Sequence, residues 1–73
     1  MTLNLLKKNQ KAIIMGFNLT DKNLLKRLYD IGIRINGEIT VIKKNKRGCY
    51  VISINGRVIT LSFEIVTKIL VKE

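Results

Sequence analysis

The stretch from Leu24 to Gly37 constrains the fold of this 73-residue chain most strongly, because it predicts a helix and the point where that helix ends. Leu24, Leu28 and Ile31 recur at intervals of four and three residues, which places them on one side of a helix. One short amphipathic helix is not stable by itself. The rest of the chain must therefore supply the surface that the apolar side of this helix covers.

Both ends of the predicted helix carry recognisable signals. Thr20 or Asp21 can cap its start, because a short side-chain oxygen accepts hydrogen bonds from the free N–H groups of the first turn. Gly32 suits the position just after the last helical turn, where the backbone takes a positive φ. In that register Leu28 and Ile33 form the apolar pair of a Schellman ending. We therefore expect the helix to stop at Gly32.

The rest of the chain predicts five short antiparallel strands. Runs rich in β-branched residues and bounded by turn residues indicate strands at Lys11 to Met15, Glu38 to Lys44, Cys49 to Ile54, Arg57 to Leu61 and Val66 to Val71. The element order is then β-α-β-β-β-β, with the last strand returning to the first. Five such strands close best into a small barrel with few exposed edges. We predict a mainly β fold, a five-stranded antiparallel barrel with one short α-helix.

The predicted turns contain glycine or asparagine, which tolerate a left-handed backbone. Asn55-Gly56 is the strongest signal, because both central positions of a type I′ turn need positive φ. We expect Ser62 to Glu64 to form a short break before the last strand, either irregular or one turn of 3₁₀ helix. We expect Leu3 and Leu6 to lie under the barrel edge, and Lys72 and Glu73 to fray. The predicted structural turn residues are Gly16, Gly32, Asn36, Gly37, Asn55 and Gly56.

Composition limits the compartment and the kind of partner. The net charge is +9, from fourteen Lys and Arg against five Asp and Glu. Such a charge favours polyanions, anionic membrane surfaces or an acidic protein partner. No segment has transmembrane length, and basic residues follow rather than precede the apolar N-terminus, which is the wrong order for a secretion signal. Cys49 is the single cysteine and fits a reducing compartment. We expect a cytoplasmic protein.

The residue types needed for catalysis and metal binding are scarce. The chain has no His, so a Ser-His or Cys-His relay is impossible, and its glycines stand singly rather than in a phosphate loop. We predict no catalytic residue, no enzyme activity and no GTP binding. Iron sites in proteins are usually built from His, Cys or clustered carboxylates, whereas the carboxylates of this chain are dispersed along the sequence. We predict no specific metal site and no cofactor. Any role of Fe(II) would then be indirect, or would involve weak binding at the surface.

Two groups of residues are candidates for binding a partner. The tip of the predicted second hairpin is basic, and its cations are Lys43, Lys44, Lys46 and Arg47. They either form a solvated tip that discourages edge aggregation, or contact an acidic protein face or anionic lipid. Tyr29 lies off the apolar stripe of the helix. Exposed beside Arg27 and Arg34 it would resemble an interface hot spot, and otherwise it covers a barrel end. We expect Phe17 and Phe63 to cover the core.

These residues also resemble a known family. The pattern Arg27-Leu28-x-x-Ile31-Gly32-Ile33-x-x-Asn36-Gly37 is similar to the helix–turn signature of the ferrous-iron transport protein A (FeoA) family, and Gly56-x-x-Ile59-x-Leu61 is similar to its hairpin. The pattern also resembles the small C-terminal domain of DtxR-type repressors. The resemblance implies an SH3-like barrel. It also implies an accessory role beside a membrane ferrous-iron permease that carries a cytosolic GTPase domain.

The family resemblance and the basic charge lead to two alternative functions. The first is a cytosolic adaptor that docks on the GTPase part of such a permease. The alternative is a basic nucleic-acid-binding small barrel, which the charge favours. Against it, stacking platforms need several exposed rings on one face, and the chain has only two Phe and two Tyr. We therefore do not expect nucleic acid as the partner. The absence of Trp also disfavours a reader of proline-rich peptides.

Overall fold

A computed structural model describes the whole chain, Met1–Glu73. In chain order its elements are a 3₁₀ turn (Leu3–Leu5), β1 (Lys11–Phe17), α1 (Lys22–Asp30), β2 (Glu38–Lys44), β3 (Tyr50–Ile54), β4 (Arg57–Leu61), α2 (Phe63–Val66) and β5 (Ile69–Lys72). Five strands with one main helix between the first and second confirm the predicted order. Neither helix has the length and apolar composition needed to cross a bilayer.

The strands form one antiparallel sheet in the order β4-β3-β2-β1-β5, so the last strand pairs with the first as predicted. No ladder joins β4 to β5, and α2 makes the connection between them. The N-terminus covers the outer side of β5, because the Val71 N–H donates to the Met1 carbonyl at 2.8 Å and Thr2 bridges Leu70. The uncovered edge of the sheet is therefore β4.

The core is built entirely from apolar side chains. All fifteen buried residues are hydrophobic, and no buried polar side-chain atom lacks a hydrogen-bond partner. The buried positions of β3 are Tyr50, Ile52 and Ile54, which alternate with half-buried ones as a strand with one side on the core requires. Leu3 and Leu6 are fully buried, which confirms their predicted place under the sheet edge.

The start of α1 is fixed by Asp21. One oxygen of its carboxylate accepts hydrogen bonds from the backbone N–H groups of Asn23 at 3.0 Å and Leu24 at 3.2 Å. Of the two caps that the sequence allows, the structure therefore uses Asp21 and not Thr20. The cap satisfies two of the free donors of the first turn and places a negative charge at the positive end of the helix.

The end of α1 is the predicted Schellman motif. The Ile33 N–H donates to the Leu28 carbonyl at 2.8 Å, and the Gly32 N–H donates to the Tyr29 carbonyl at 3.1 Å. Gly32 has a φ of 102°, which a residue with a Cβ adopts only with strain. After this ending the chain stays beside the helix, because Arg34 Nε donates a hydrogen bond to the Tyr29 carbonyl oxygen at 3.1 Å.

Two predicted turns have the expected geometry. Asn55 and Gly56 have φ values of 51° and 78°, as a type I′ turn requires. Asn36 has a φ of 72°, and the turn at Asn36 and Gly37 is also tied to β1. The Asn36 N–H donates to the Ile14 carbonyl at 2.8 Å, and the Ile14 N–H donates to the Gly37 carbonyl at 2.9 Å. This second turn therefore fixes where β2 begins beside β1.

The prediction that Gly16 is a turn residue ending the first strand is wrong. β1 continues to Phe17, and Gly16 lies inside it, at a register shift that begins at Ile14 in the ladder with β5. Such a bulge inserts one extra residue and bends the strand. The nearest atom to a Cβ built at Gly16 is Leu70 Cδ1 at 4.0 Å. Glycine here marks the bend of a continuous strand, which in the sequence has the same appearance as a strand end.

The last strand is shorter than predicted. Val66 belongs to α2, and β5 starts only at Ile69. The break after β4 therefore runs from Ser62 to Lys68 instead of from Ser62 to Glu64, and it contains the α-helical turn α2. Val66 is buried from this helix rather than from a strand. The predicted fraying of Lys72 is also wrong, because this residue is the last of β5.

Candidate functional site

An apolar groove lies where α1 meets the segment that follows it. Its volume is about 440 Å³, and it is lined by Phe17, Leu25, Tyr29, Ile33, Arg34 and Ile35. Leu25 and Tyr29 are four residues apart on α1 and are therefore neighbours on the helix surface. Ile33 and Ile35 come from the segment that follows α1, so the turn of the chain at Gly32 brings the two walls together. We call this feature the helix groove.

Tyr29 and Arg34 form the polar rim of the helix groove. The Arg34 guanidinium lies 4.1 Å from the centroid of the Tyr29 ring, and Arg34 Nε donates to the Tyr29 carbonyl oxygen at 3.1 Å. The Tyr29 side chain is 56% exposed. Of the two predicted alternatives for Tyr29, the structure therefore favours the exposed ring beside an arginine over a lid on the barrel end.

Cations flank the helix groove along α1. Lys22 and Lys26 are exposed, and each lies three residues before a groove residue, Lys22 before Leu25 and Lys26 before Tyr29, which makes them neighbours of the groove on the helix surface. Arg27 is two residues before Tyr29 and therefore points to a different side of the helix, and it does not line the groove. The structure thus brings Tyr29 and Arg34 together as predicted, without Arg27.

A second, polar cleft adjoins the helix groove. It has a volume of about 280 Å³ and shares Arg34 with the groove. Asp30 and Arg57 also line it, so side chains of both signs face one opening. Arg57 follows the Asn55-Gly56 turn, and the sequence analysis did not identify it. Only the pairing of β3 with β4 brings this residue near the end of α1.

The predicted basic hairpin tip lies far from the helix groove. β2 begins directly after the turn at Gly37 and ends at Lys44, and a strand of seven residues spans about 20 Å. The basic tip is therefore at the opposite end of the sheet from Tyr29 and Arg34. All four of its cations are exposed: Lys43, Lys44, Lys46 and Arg47. The two predicted groups of binding residues consequently form two separate surfaces.

The base of the hairpin is anchored to the rest of the protein. Lys44 Nζ and the Tyr50 hydroxyl each donate to the Asn4 carbonyl oxygen at 3.3 Å, and the ammonium lies 5.4 Å from the Tyr50 ring centroid. At the other side of the tip, a Cβ built at Gly48 would lie only 3.1 Å from Phe63 Cβ. The tip is thus held between the N-terminal 3₁₀ turn and α2.

The expectation for the two phenylalanines is half right. Phe17 is half-buried and packs against the core, which confirms it as a cover. Phe63 is 51% exposed, so the prediction that it covers the core is wrong. The core side of α2 is occupied instead by Val66 and Ile65. Leu5 is also exposed, and the sequence analysis did not single it out. The period of three in a 3₁₀ turn puts Leu3 and Leu6 together and leaves Leu5 outside, which is a signal that could have identified it.

The side chains that ligate metals are spread over the molecule. No three of the Cys, Asp and Glu residues come close enough to hold a metal ion. Cys49 is a free, half-buried cysteine between Gly48 and the start of β3. The residues present therefore do not fit a resident iron ion. The dispersed carboxylates are Asp21, Asp30, Glu38, Glu64 and Glu73.

Comparison with known proteins identifies the family. The model of the FeoA domain matches residues 1–73. A FeoA protein from Chlorobium tepidum is similar with a TM-score of 0.90 and 22% identity, over 99% of this chain and 69% of that one. A FeoA protein from Stenotrophomonas maltophilia, solved with zinc and described as a procaryotic SH3 domain protein, is similar with a TM-score of 0.83 and 17% identity over 99% and 89%.

The same fold occurs in a larger regulator. A manganese-dependent transcriptional repressor is similar with a TM-score of 0.90 and 16% identity, over 99% of this chain but only 40% of the repressor. No curated protein sequence matches the chain. The structural likenesses confirm the predicted SH3-like fold and its occurrence as a domain of metal-dependent repressors. The match of the FeoA domain model from the first residue to the last shows that this protein belongs to the FeoA family, as its helix–turn signature predicted.

Proposed function

We propose that this chain is a non-enzymatic cytoplasmic accessory protein of bacterial ferrous iron uptake, and that it docks on the cytosolic GTPase-bearing part of a membrane Fe(II) permease. The observation that carries the proposal is that a FeoA domain accounts for all 73 residues. The S. maltophilia relative has been suggested to act as an activating factor of ferrous iron transport, which supports the same role here.

The chemistry of the chain suits a protein that acts by binding. It contains no His, and its single thiol lies in no nucleophile–base pair. In this proposal Fe(II) is the cargo of the permease and is not held by this chain. What the protein offers a partner is surface, and the surface that combines an apolar floor with oriented polar groups is the helix groove.

The helix groove has the composition of a binding hot spot. Aromatic residues and arginine carry most of the energy of protein interfaces, and here Tyr29 and Arg34 are already stacked before any partner arrives. A preorganised pair loses less side-chain entropy on binding than two free side chains. With Lys22 and Lys26 along one wall, the groove fits a partner segment that inserts apolar side chains and carries acidic residues at its margins.

The test is a titration of the isotope-labelled protein with the purified GTPase domain, followed by NMR and calorimetry. We expect shifts concentrated on α1 and on residues 33–35. Tyr29→Ala should weaken binding about 30-fold, as loss of a hot-spot side chain does. Val58→Ser is the matched control, because Val58 is 64% exposed on β4, outside the groove. An absence of saturable binding, together with normal iron uptake in a deletion strain, would rule the proposal out.

A further inference from the structure

The end of the molecule opposite the helix groove carries exposed apolar and cationic side chains side by side. Leu5 is 61% exposed and Phe63 is 51% exposed, and both stand beside the basic hairpin. We propose that this end binds the surface of an anionic lipid bilayer. In this arrangement Leu5 and Phe63 enter the boundary between headgroups and acyl chains while the cations contact the headgroups. We call Leu5, Lys44, Lys46, Arg47 and Phe63 together the basic end.

Hydrogen bonds and packing place these residues next to one another. Lys44 Nζ donates to the carbonyl oxygen of Asn4, the residue before Leu5, at 3.3 Å. The backbone of Gly48 packs against the side chain of Phe63. The 3₁₀ turn that carries Leu5 also contacts α2, which begins with Phe63. Three separate segments of the chain therefore meet at the basic end, and each contributes an exposed residue.

The hairpin presents its cations on an ordered turn. The Asn45 N–H donates to the Cys49 carbonyl at 2.8 Å, and the Gly48 N–H returns to the Asn45 carbonyl at 3.0 Å. The Asn45 side-chain oxygen accepts from the Arg47 N–H at 2.9 Å, and Gly48 has a φ of 86°. The backbone of the tip thus loses little further freedom when it meets a surface, which favours binding.

The shape of the basic end favours a bilayer over a folded partner or a nucleic acid. Both clefts of the molecule lie at the opposite end, so this one offers protruding side chains and no concave pocket. Stable attachment to a membrane surface usually needs two signals, and here an apolar insertion and a basic cluster occur together. Binding of single strands needs a row of exposed rings, whereas Tyr50 is buried and Phe63 stands alone. Glu64 is the acidic residue next to Phe63.

The inference goes beyond the proposed function and does not depend on it. The basic end and the helix groove are separated by the length of β2, about 20 Å. A molecule held on a bilayer by one end therefore keeps the other end free for a protein partner that is itself at the membrane. The two surfaces are tested with different ligands, so failure of either proposal leaves the other standing.

The experiment is co-sedimentation of the purified full chain with phosphatidylcholine vesicles prepared with and without phosphatidylglycerol. We expect binding only to the anionic vesicles, and loss of that binding as salt is raised. The double variant Lys46→Gln/Arg47→Gln should lower the partition coefficient about 30-fold, since each cation near an anionic surface contributes about fivefold. Val58→Ser, which removes an exposed apolar side chain on β4, should bind as the unaltered protein does.

The apolar part is tested separately. Leu5→Ser and Phe63→Ser should each lower partitioning about fivefold, the effect of removing a half-exposed apolar side chain from the interface. Leu5 is 61% exposed and lies in the 3₁₀ turn, outside the strands of the sheet, so its variant reports on the membrane even where Phe63→Ser disturbs α2. Circular dichroism checks that both variants remain folded. Equal binding to neutral vesicles, insensitivity to Leu5→Ser, or tight binding to a single-stranded oligonucleotide without vesicle binding would each overturn the proposal.

Discussion

Arg34 stacks on the ring of Tyr29, five residues earlier, and at the same time hydrogen-bonds to the carbonyl of that residue. The guanidinium is 4.1 Å from the ring centroid, and the Nε···O distance is 3.1 Å. The carbonyl of Tyr29 also accepts from the Gly32 N–H, so one oxygen serves both the helix ending and the arginine. The end of α1 and the rim of the helix groove therefore share a hydrogen-bond acceptor, the Tyr29 carbonyl oxygen.

Replacing Arg34 by lysine should loosen this pair while keeping the charge. Lysine cannot reproduce the planar contact or the Nε hydrogen bond. We expect a loss of about 0.5–1 kcal/mol in unfolding free energy, as for an exposed cation–π contact, measured by urea denaturation. NMR should also show greater mobility of the Tyr29 ring. Arg27→Lys is the control and should change neither quantity. Equal effects of the two variants would contradict the role of the stacked pair.

Replacing Gly32 by alanine should destabilise the protein through its backbone alone. The nearest atom to an added Cβ is Asn55 Nδ2 at 3.9 Å, so space is available, but the φ of 102° is unfavourable for alanine. We expect a loss of about 1–2 kcal/mol in unfolding free energy, measured by chemical denaturation. Gly16→Ala should change this free energy by less than about 0.5 kcal/mol, because Gly16 has no positive φ. A larger loss of unfolding free energy in Gly16→Ala would contradict the conclusion that the backbone at Gly16 accepts a residue with a Cβ.

Replacing Gly37 by alanine should destabilise the protein through a steric clash. Gly37 does not have a positive φ, but an added Cβ would lie 3.0 Å from the Arg34 carbonyl oxygen, a backbone atom that cannot rotate away. We expect a loss of about 1–3 kcal/mol in unfolding free energy, typical of overpacking. Amide shifts at Ile14 should accompany it, because Ile14 bonds to both Asn36 and Gly37. A neutral substitution would show that the turn can move without cost.

Replacing Asp21 by alanine should remove the cap of α1. Two backbone donors lose their acceptor, and we expect a loss of about 1 kcal/mol in unfolding free energy. Asp21→Asn should cost less, since asparagine also caps helices. Asp30→Ala is the matched control at the other end of α1. It removes a negative charge from the negative end of the helix, so it should be neutral or slightly stabilising. Thermal unfolding of the unaltered protein and the three variants checks this order of stability, in which Asp21→Ala is the least stable.

Features set by local chemistry were predictable from the sequence. The Schellman ending at Gly32, the type I′ turn at Asn55 and Gly56, and the antiparallel pairing of β2, β3 and β4 depend on backbone preferences and on neighbours close in the chain. The errors occur where one residue type serves two structures. Gly16 suits a strand end or a bulge equally well, and Val66 suits a strand or a buried helical position, so only pairing with distant residues decides between them.

The sequence by itself determined the family, the helix with both its ends, most of the turns and the strongly basic charge, because these depend on residue identity and short-range spacing. Only the tertiary structure decided that Arg34 joins Tyr29 without Arg27, that the basic hairpin lies at the other end of the sheet, and that Leu5 and Phe63 stand beside it. The contact of Arg34 with Tyr29 depends on the course of the chain after Gly32. The other two relationships join residues far apart in the chain, and they are set by how the strands pair and where the helices pack.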